Sequence, residues 1–122
     1  MQIRILAVLA AAAAVLFAAG ASAQSVSGRY QVVGTNFNGS PYAGTAEIFQ
    51  TSSTTCRMTW RTGSTTSRGI CMRNASTFVA AYSMGRGYGL VVYEIKPDGA
   101  LEGTWTAADR EGLGTERLIP LR

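Results

Sequence analysis

The sequence predicts an all-β protein, an eight-stranded antiparallel up-and-down β-barrel. Three observations predict it. Beyond the first twenty-three residues, short runs of alternating apolar and polar residues are punctuated by Gly, Asn, Asp, Ser and Pro, and none holds a helical period. The stretch 88–106, YGLVVYEIKPDGALEGTWT, reads as a β-hairpin. The only two cysteines, Cys56 and Cys71, fall opposite one another if the chain turns at Gly63-Ser64.

The hairpin of 88–106 turns on Lys96-Pro97-Asp98-Gly99. Pro presets φ, Asp bonds its own backbone, and Gly takes the left-handed position that closes a three-residue loop. With Lys96 opposite Ala100, Ile95 meets Leu101, Tyr93 meets Gly103 and Val91 meets Trp105. That face is apolar. The other carries Leu90, Val92, Glu94, Glu102, Thr104 and Thr106 and is more polar, as in a half-buried antiparallel sheet.

Residues 1–23 stand apart. Arg4 gives a positive start, 5–19 are apolar, and Ala21-Ser22-Ala23 is an A-x-A site. This is the pattern of a secretory signal peptide cleaved after Ala23, too short and Ala-rich for a membrane span. No Cys lies at the cleavage site, which disfavours a lipoprotein. Residues 24–122 then form one domain in the periplasm or outside the cell, where two cysteines are expected to join as a disulfide.

The full chain has 11 Lys+Arg against 7 Asp+Glu, and the charges are scattered. No basic patch suggests nucleic acid. There is no His. The commonest general base and the commonest transition-metal ligand are both missing, so neither a metal nor another cofactor is expected.

The elements follow in order. Residues 28–34 read as a first strand, 35–41 as a loop with Asn38-Gly39 as its turn, and 42–50 as a second strand. Residues 55–62 alternate, with Cys56, Met58 and Trp60 on one face. A two-residue turn at Gly63-Ser64 sets Thr62 against Thr65 and so Cys56 against Cys71, at about 5.5 Å between Cα atoms for a hydrogen-bonded pair. The fourth strand is 67–73 and the fifth 77–83, with Phe78, Ala80 and Tyr82 on one face. A turn at 84–87 leads into the two strands of 88–106, and 113–120 is the eighth. Closure into a barrel removes exposed edges; a two-sheet sandwich is the alternative. The strands are short and outward faces are expected to carry Arg, Glu and Thr, so stable membrane insertion is not expected.

Ser27-Gly28-Arg29-Tyr30 and the segment Asp98-Gly99-Ala100-Leu101-Glu102-Gly103-Thr104-Trp105 resemble the calycin group, which includes avidins and lipocalins. The resemblance implies a small barrel. The polar residues with which avidins hold biotin have no counterparts that can be placed here, so biotin binding is not implied. In plan the chain also resembles small periplasmic inhibitors of secreted bacterial metalloproteases, with Gln24-Ser25-Val26-Ser27 as the N-terminal arm. Residues 24–122 are similar, finally, to short exported bacterial proteins often labelled fibronectin-binding.

Several residues are candidates for function. Trp60, Phe78, Tyr82, Tyr93 and Trp105 either fill the interior or, if it is hollow, line a pocket for an apolar ligand. Filling is favoured, and Gly103 opposite Tyr93 fits a ring lying over a bare glycine. In the loops, Phe37, Asn38 and Tyr42, and Arg86 and Tyr88, are candidate partner contacts, although Phe37 can equally fold back over the barrel end. Glu94 faces Glu102, a spacing that suits a retaining glycosidase. Two solvated carboxylates relieved by an Arg on a neighbouring strand are the simpler reading. The Gly-rich run 84–89 has no helix after it to bind phosphate.

Without His no nucleophile–base pair assembles, so an enzyme is not expected. The reading favoured by the sequence is an exported, non-catalytic barrel that binds a protein or cell-surface partner through its end loops. Its alternatives are an inhibitor acting through the N-terminal arm and a carrier of a small apolar ligand.

Overall fold

In a computed structural model, which describes residues 25–122, the alternation becomes eight strands. The expected signal peptide and its cleavage site lie outside the described residues. The strands are β1 (Gly28–Thr35), β2 (Pro41–Gln50), β3 (Thr55–Thr62), β4 (Thr65–Asn74), β5 (Thr77–Met84), β6 (Gly87–Ile95), β7 (Leu101–Ala107) and β8 (Gly114–Pro120). Each pairs antiparallel with the next, and β1 pairs with β8. The barrel is closed, which rules out the two-sheet sandwich.

Turn chemistry sets the registers. Gly63 takes φ 61° at the first position of a two-residue turn, so Thr62 meets Thr65 and Cys56 meets Cys71. The two cysteines are bonded, with Cα atoms 4.9 Å apart. In the β6–β7 loop Lys96 N donates to Ala100 O at 2.8 Å, and Ala100 N donates to Asp98 Oδ1 at 2.9 Å. Ile95–Leu101, Tyr93–Gly103 and Val91–Trp105 pair as the sequence requires. β4 and β6 begin earlier than expected, because the tight turns let the ladders run to Thr62–Thr65 and Met84–Gly87.

One end of the barrel is filled. Ile48, Met58, Phe78, Tyr93, Leu101 and Leu118 are buried there. Val26 caps this end, and its carbonyl accepts from the Tyr30 hydroxyl at 2.5 Å. Gly103 has a different role from the one expected. A Cβ there would lie 1.7 Å from the carbonyl oxygen of Val92, so the neighbouring backbone, not the Tyr93 ring, requires glycine.

The outer surface also departs from expectation. Ile70, Ala81 and Leu90 form one row across β4, β5 and β6, and Met72, Val79 and Val92 the next. Ile70, Met72, Leu90 and Val92 are exposed. Each strand alone looks mixed; the apolar strip emerges only when outward positions of three strands align.

The disulfide closes a loop over a sequence separation of 15. In the chain-entropy account such a loop contributes about 3 kcal/mol. Replacing both cysteines, Cys56→Ser with Cys71→Ser, should lower the unfolding free energy by about that amount in urea titrations. An unchanged midpoint would mean that the β3–β4 ladder needs no covalent support.

Candidate ligand-binding site

The other end of the barrel is open, and a recurrent cross-strand pairing opens it. Tyr42 lies opposite Gly34, Tyr82 opposite Gly89 and Trp105 opposite Gly114. In each pair the ring fills the space a Cβ would need: Tyr42 Cζ would be 2.3 Å from one on Gly34, Tyr82 Oη 2.2 Å from one on Gly89, and Trp105 Cε2 2.3 Å from one on Gly114. The rings therefore recline on the wall and leave the lumen clear. Their polar tips are tied down. Tyr82 donates to Thr106 O at 2.8 Å and the Trp105 indole to Thr115 O at 3.2 Å. The resulting cavity holds about 360 Å³.

At its inner end sits Glu116. Alternation along β8 buries Gly114, Glu116 and Leu118 and exposes Thr115 and Arg117. Three side chains from three other strands donate to this carboxylate. Tyr42 donates to Oε1 at 2.9 Å, the Trp60 indole to Oε2 at 3.1 Å, and Tyr93 also to Oε2. No Lys or Arg is among the groups that hold it or line the cavity.

Burial pushes the Glu116 carboxyl above its ordinary value of 4.5, and the three donors offset part of that rise. The phenols shift with it. Burial first, then the nearby carboxylate, raises Tyr42 and Tyr93, and raises Tyr82 to about 12. A carboxylate has room for about four hydrogen bonds. Glu116 accepts two on Oε2 and one on Oε1, so Oε1 keeps free capacity.

The structure separates the residues singled out in the sequence. Trp60, Tyr82 and Trp105 line the cavity. Tyr93 lies beneath it and touches Glu116, while Phe78 is fully buried deeper, 5.8 Å from the Tyr93 ring. The interior is thus filled at one end and hollow at the other. Tyr42 is not a loop contact but an inward residue of β2. Phe37 folds back onto Trp105, with ring centroids 4.6 Å apart. Asn38 Oδ1 accepts from the Ser40 amide and hydroxyl and so shapes its own turn. Arg86 and Tyr88 are exposed. Glu94 does face Glu102, but on the outer wall, where Lys96 lies 3.1 and 3.7 Å from them and Arg117 lies 3.2 Å from Glu102.

The arm residues 25–27 lie against the barrel: Val26 is buried, Ser25 donates to Gln50 Oε1, and Ser27 Oγ accepts from Gln50 N. No cluster of three or more His, Cys, Asp or Glu is placed to hold a metal among the described residues. Glu116 is the residue that sequence reasoning missed. Its signal was parity: if Leu118 points inward, so does Glu116.

No known protein family matches the chain. No curated protein matches it either. Solved structures do. A redesigned β-barrel aligns with TM-score 0.70 at 17% identity, covering 83% of this chain and 96% of that one. A second, solved bound to DFHBI, gives 0.68 at 19%, covering 80% and 97%. A fluorescence-activating β-barrel designed de novo gives 0.65 at 15%, covering 82% and 97%. At these identities the likeness shows the fold alone: a closed eight-stranded antiparallel barrel.

The raised carboxyl has a consequence for stability. Because Glu116 holds its proton more tightly in the fold than in the unfolded chain, its stabilising contribution is full below pH 4.5. It is lost as pH rises through the higher native value. Glu116→Gln should flatten this decline in unfolding free energy as pH rises above 4.5. Parallel curves for the two proteins would show that the carboxyl titrates alike in both states.

Proposed function

We propose that the protein binds a small, largely apolar molecule in the open end of the barrel, above Glu116. One observation carries the reading: a cavity of about 360 Å³ whose aromatic walls are held back by paired glycines. Its size lies in the range of small-molecule sites, and its lining of rings with a few polar groups is of the kind such sites use. Eight-stranded barrels are wide enough for one small ligand. The designed barrel bound to DFHBI supports the same use of this architecture. The calycin resemblance of the 98–105 hairpin agrees with it in plan.

The protein is proposed to act without catalysis, because the cavity lining offers one carboxylate and no His, Cys or Lys, and the phenols beside it, Tyr42 and Tyr93, are held above 10.0. Export is proposed from the signal-like residues 1–23 and supported by the Cys56–Cys71 disulfide. A protein or cell-surface partner at the rim is a second reading, favoured by the exposure of Tyr88 at 68% beside Arg86.

Ser67 faces inward opposite Trp60, so a large side chain there plugs the cavity. The neutral dye N-phenylnaphthylamine should brighten on binding the wild-type protein. Ser67→Phe should weaken that binding by about ten-fold or more while leaving the far-ultraviolet circular dichroism unchanged. Partner binding through Arg86 and Tyr88 would survive the plug. Dye binding equal in both proteins, or absent from the wild type, overturns the cavity reading.

A further inference from the structure

We infer that the ligand is a monocation, a small ring-bearing molecule with one ammonium or protonated-nitrogen donor that reaches Glu116. The inference rests on the small-ligand reading of the cavity and adds the charge and polarity of what enters it.

The charge inventory comes first. Of the residues that line the cavity, Glu116 is the one with an ionisable carboxyl or basic group apart from the phenols of Tyr42 and Tyr82. Nothing basic offsets it there. A carboxylate taken out of water without a countercharge is unfavourable, and a cation that enters the site supplies what the protein withholds. An anion meets the opposite condition.

The hydrogen-bond inventory agrees. Tyr42, Trp60 and Tyr93 all donate, and together they leave acceptor capacity on Oε1. A ligand therefore needs a donor at this end, and a charged N–H donor makes the stronger bond to a carboxylate. The walls agree as well. The faces of Trp60, Tyr82 and Trp105 are electron-rich, and such faces attract cations. Around the opening, Asn36, Thr62 and Thr65 are neutral and accept or donate, so they set no charge preference.

Protonation gives an independent handle. The groups facing Glu116 are Tyr42 from β2, Trp60 from β3 and Tyr93 from β6, with Tyr82 of β5 close enough to feel its charge. All three phenols are held above 10.0, so none ionises in acid or at neutrality. Glu116 is the carboxyl among the groups that face one another here; Asp109 acts on Tyr82 but is not among the groups that shift Glu116. Acid should compete with a cationic ligand and spare a neutral one.

The test uses three probes that share one ring: phenethylammonium, phenethyl alcohol and phenylacetate. Each displaces N-phenylnaphthylamine from the wild-type protein at neutral pH. Phenethylammonium should do so at a concentration about ten-fold below the alcohol, with phenylacetate the weakest. Glu116→Gln should keep the dye and lose the ammonium's advantage. On the wild type alone, that advantage should also disappear on acidification, a measurement that stands if the variant does not fold. If the dye enters and Ser67→Phe excludes it, yet ammonium and alcohol displace it equally or phenylacetate is preferred, the cation assignment is overturned and the site remains. A ratio of ammonium to alcohol that ignores pH overturns it too. If the dye never enters, the small-ligand reading falls and takes this inference with it.

Discussion

Closure of β1 onto β8 governs the rest of the molecule. The ladder from Tyr30–Pro120 to Thr35–Thr115 turns an open meander into a ring with one inside. Strands alternate faces with a period of two, so a slip of one residue would exchange every inward and outward side chain. Leu118 must be inside, where it is fully buried. Glu116, two residues away, has no separate choice. The position of the carboxylate is thus a consequence of packing the closed end, and the three donors around it turn that consequence into a defined site.

The same constraint explains why one barrel is both full and hollow. At the capped end, inward positions carry Ile48, Met58, Phe78, Tyr93, Leu101 and Leu118. Toward the mouth they carry Gly34, Gly44, Thr62, Ser67, Gly89 and Gly114. Aromatic rings occur at both ends, so their presence does not decide whether space is filled. A glycine across the ladder is not enough: Tyr93 also faces Gly103, where the Val92 carbonyl and not the ring takes the space of a Cβ. Phe78 and Tyr93 face each other and project into the core, whereas Tyr42, Tyr82 and Trp105 face glycines and lie back over them. Aromatic side chains bring large area with few torsions, so walls built this way are stiff.

This distribution marks where sequence reasoning succeeds. The β3–β4 and β6–β7 registers were legible because each depends on a turn of a few residues with a mechanism: Gly63 at φ 61° in one, Asp98-Gly99 in the other. The eight strands followed from such local signals, whereas closure rested on the removal of exposed edges, with a sandwich as the alternative. The hollow mouth did not. Tyr42–Gly34 and Trp105–Gly114 are joined by loops whose lengths leave the register open, so the glycine beneath each ring could not be named in advance. Tyr42, at the start of the second strand, and Phe37, in the loop before it, are open to outward and inward readings for the same reason, and the structure turns both toward Trp105. Glu116 was legible in principle from Leu118 but was overshadowed by the pair Glu94 and Glu102, which face each other on the outer wall. The outer strip of Ile70, Met72, Leu90 and Val92 needed the registers of three strands at once.

Stability does not explain a carboxylate in this place. Tyr42, Tyr93 and Trp60 require an acceptor, and a neutral amide oxygen would serve with a smaller desolvation cost. The surface carboxylates are treated differently: Lys96 neutralises Glu94 and Glu102, and Arg117 attends Glu102 and Asp98. The chain has cations to spare, with 11 Lys+Arg against 7 Asp+Glu. None is among the groups around Glu116. The filled end and the disulfide hold the barrel together, and the open end carries Glu116, the one charged residue buried among those described, which folding alone gives no reason to keep. A group retained against its own solvation energy, aimed into an accessible space and left with a vacant acceptor site, is the ground on which the proposed binding of a small cation rests.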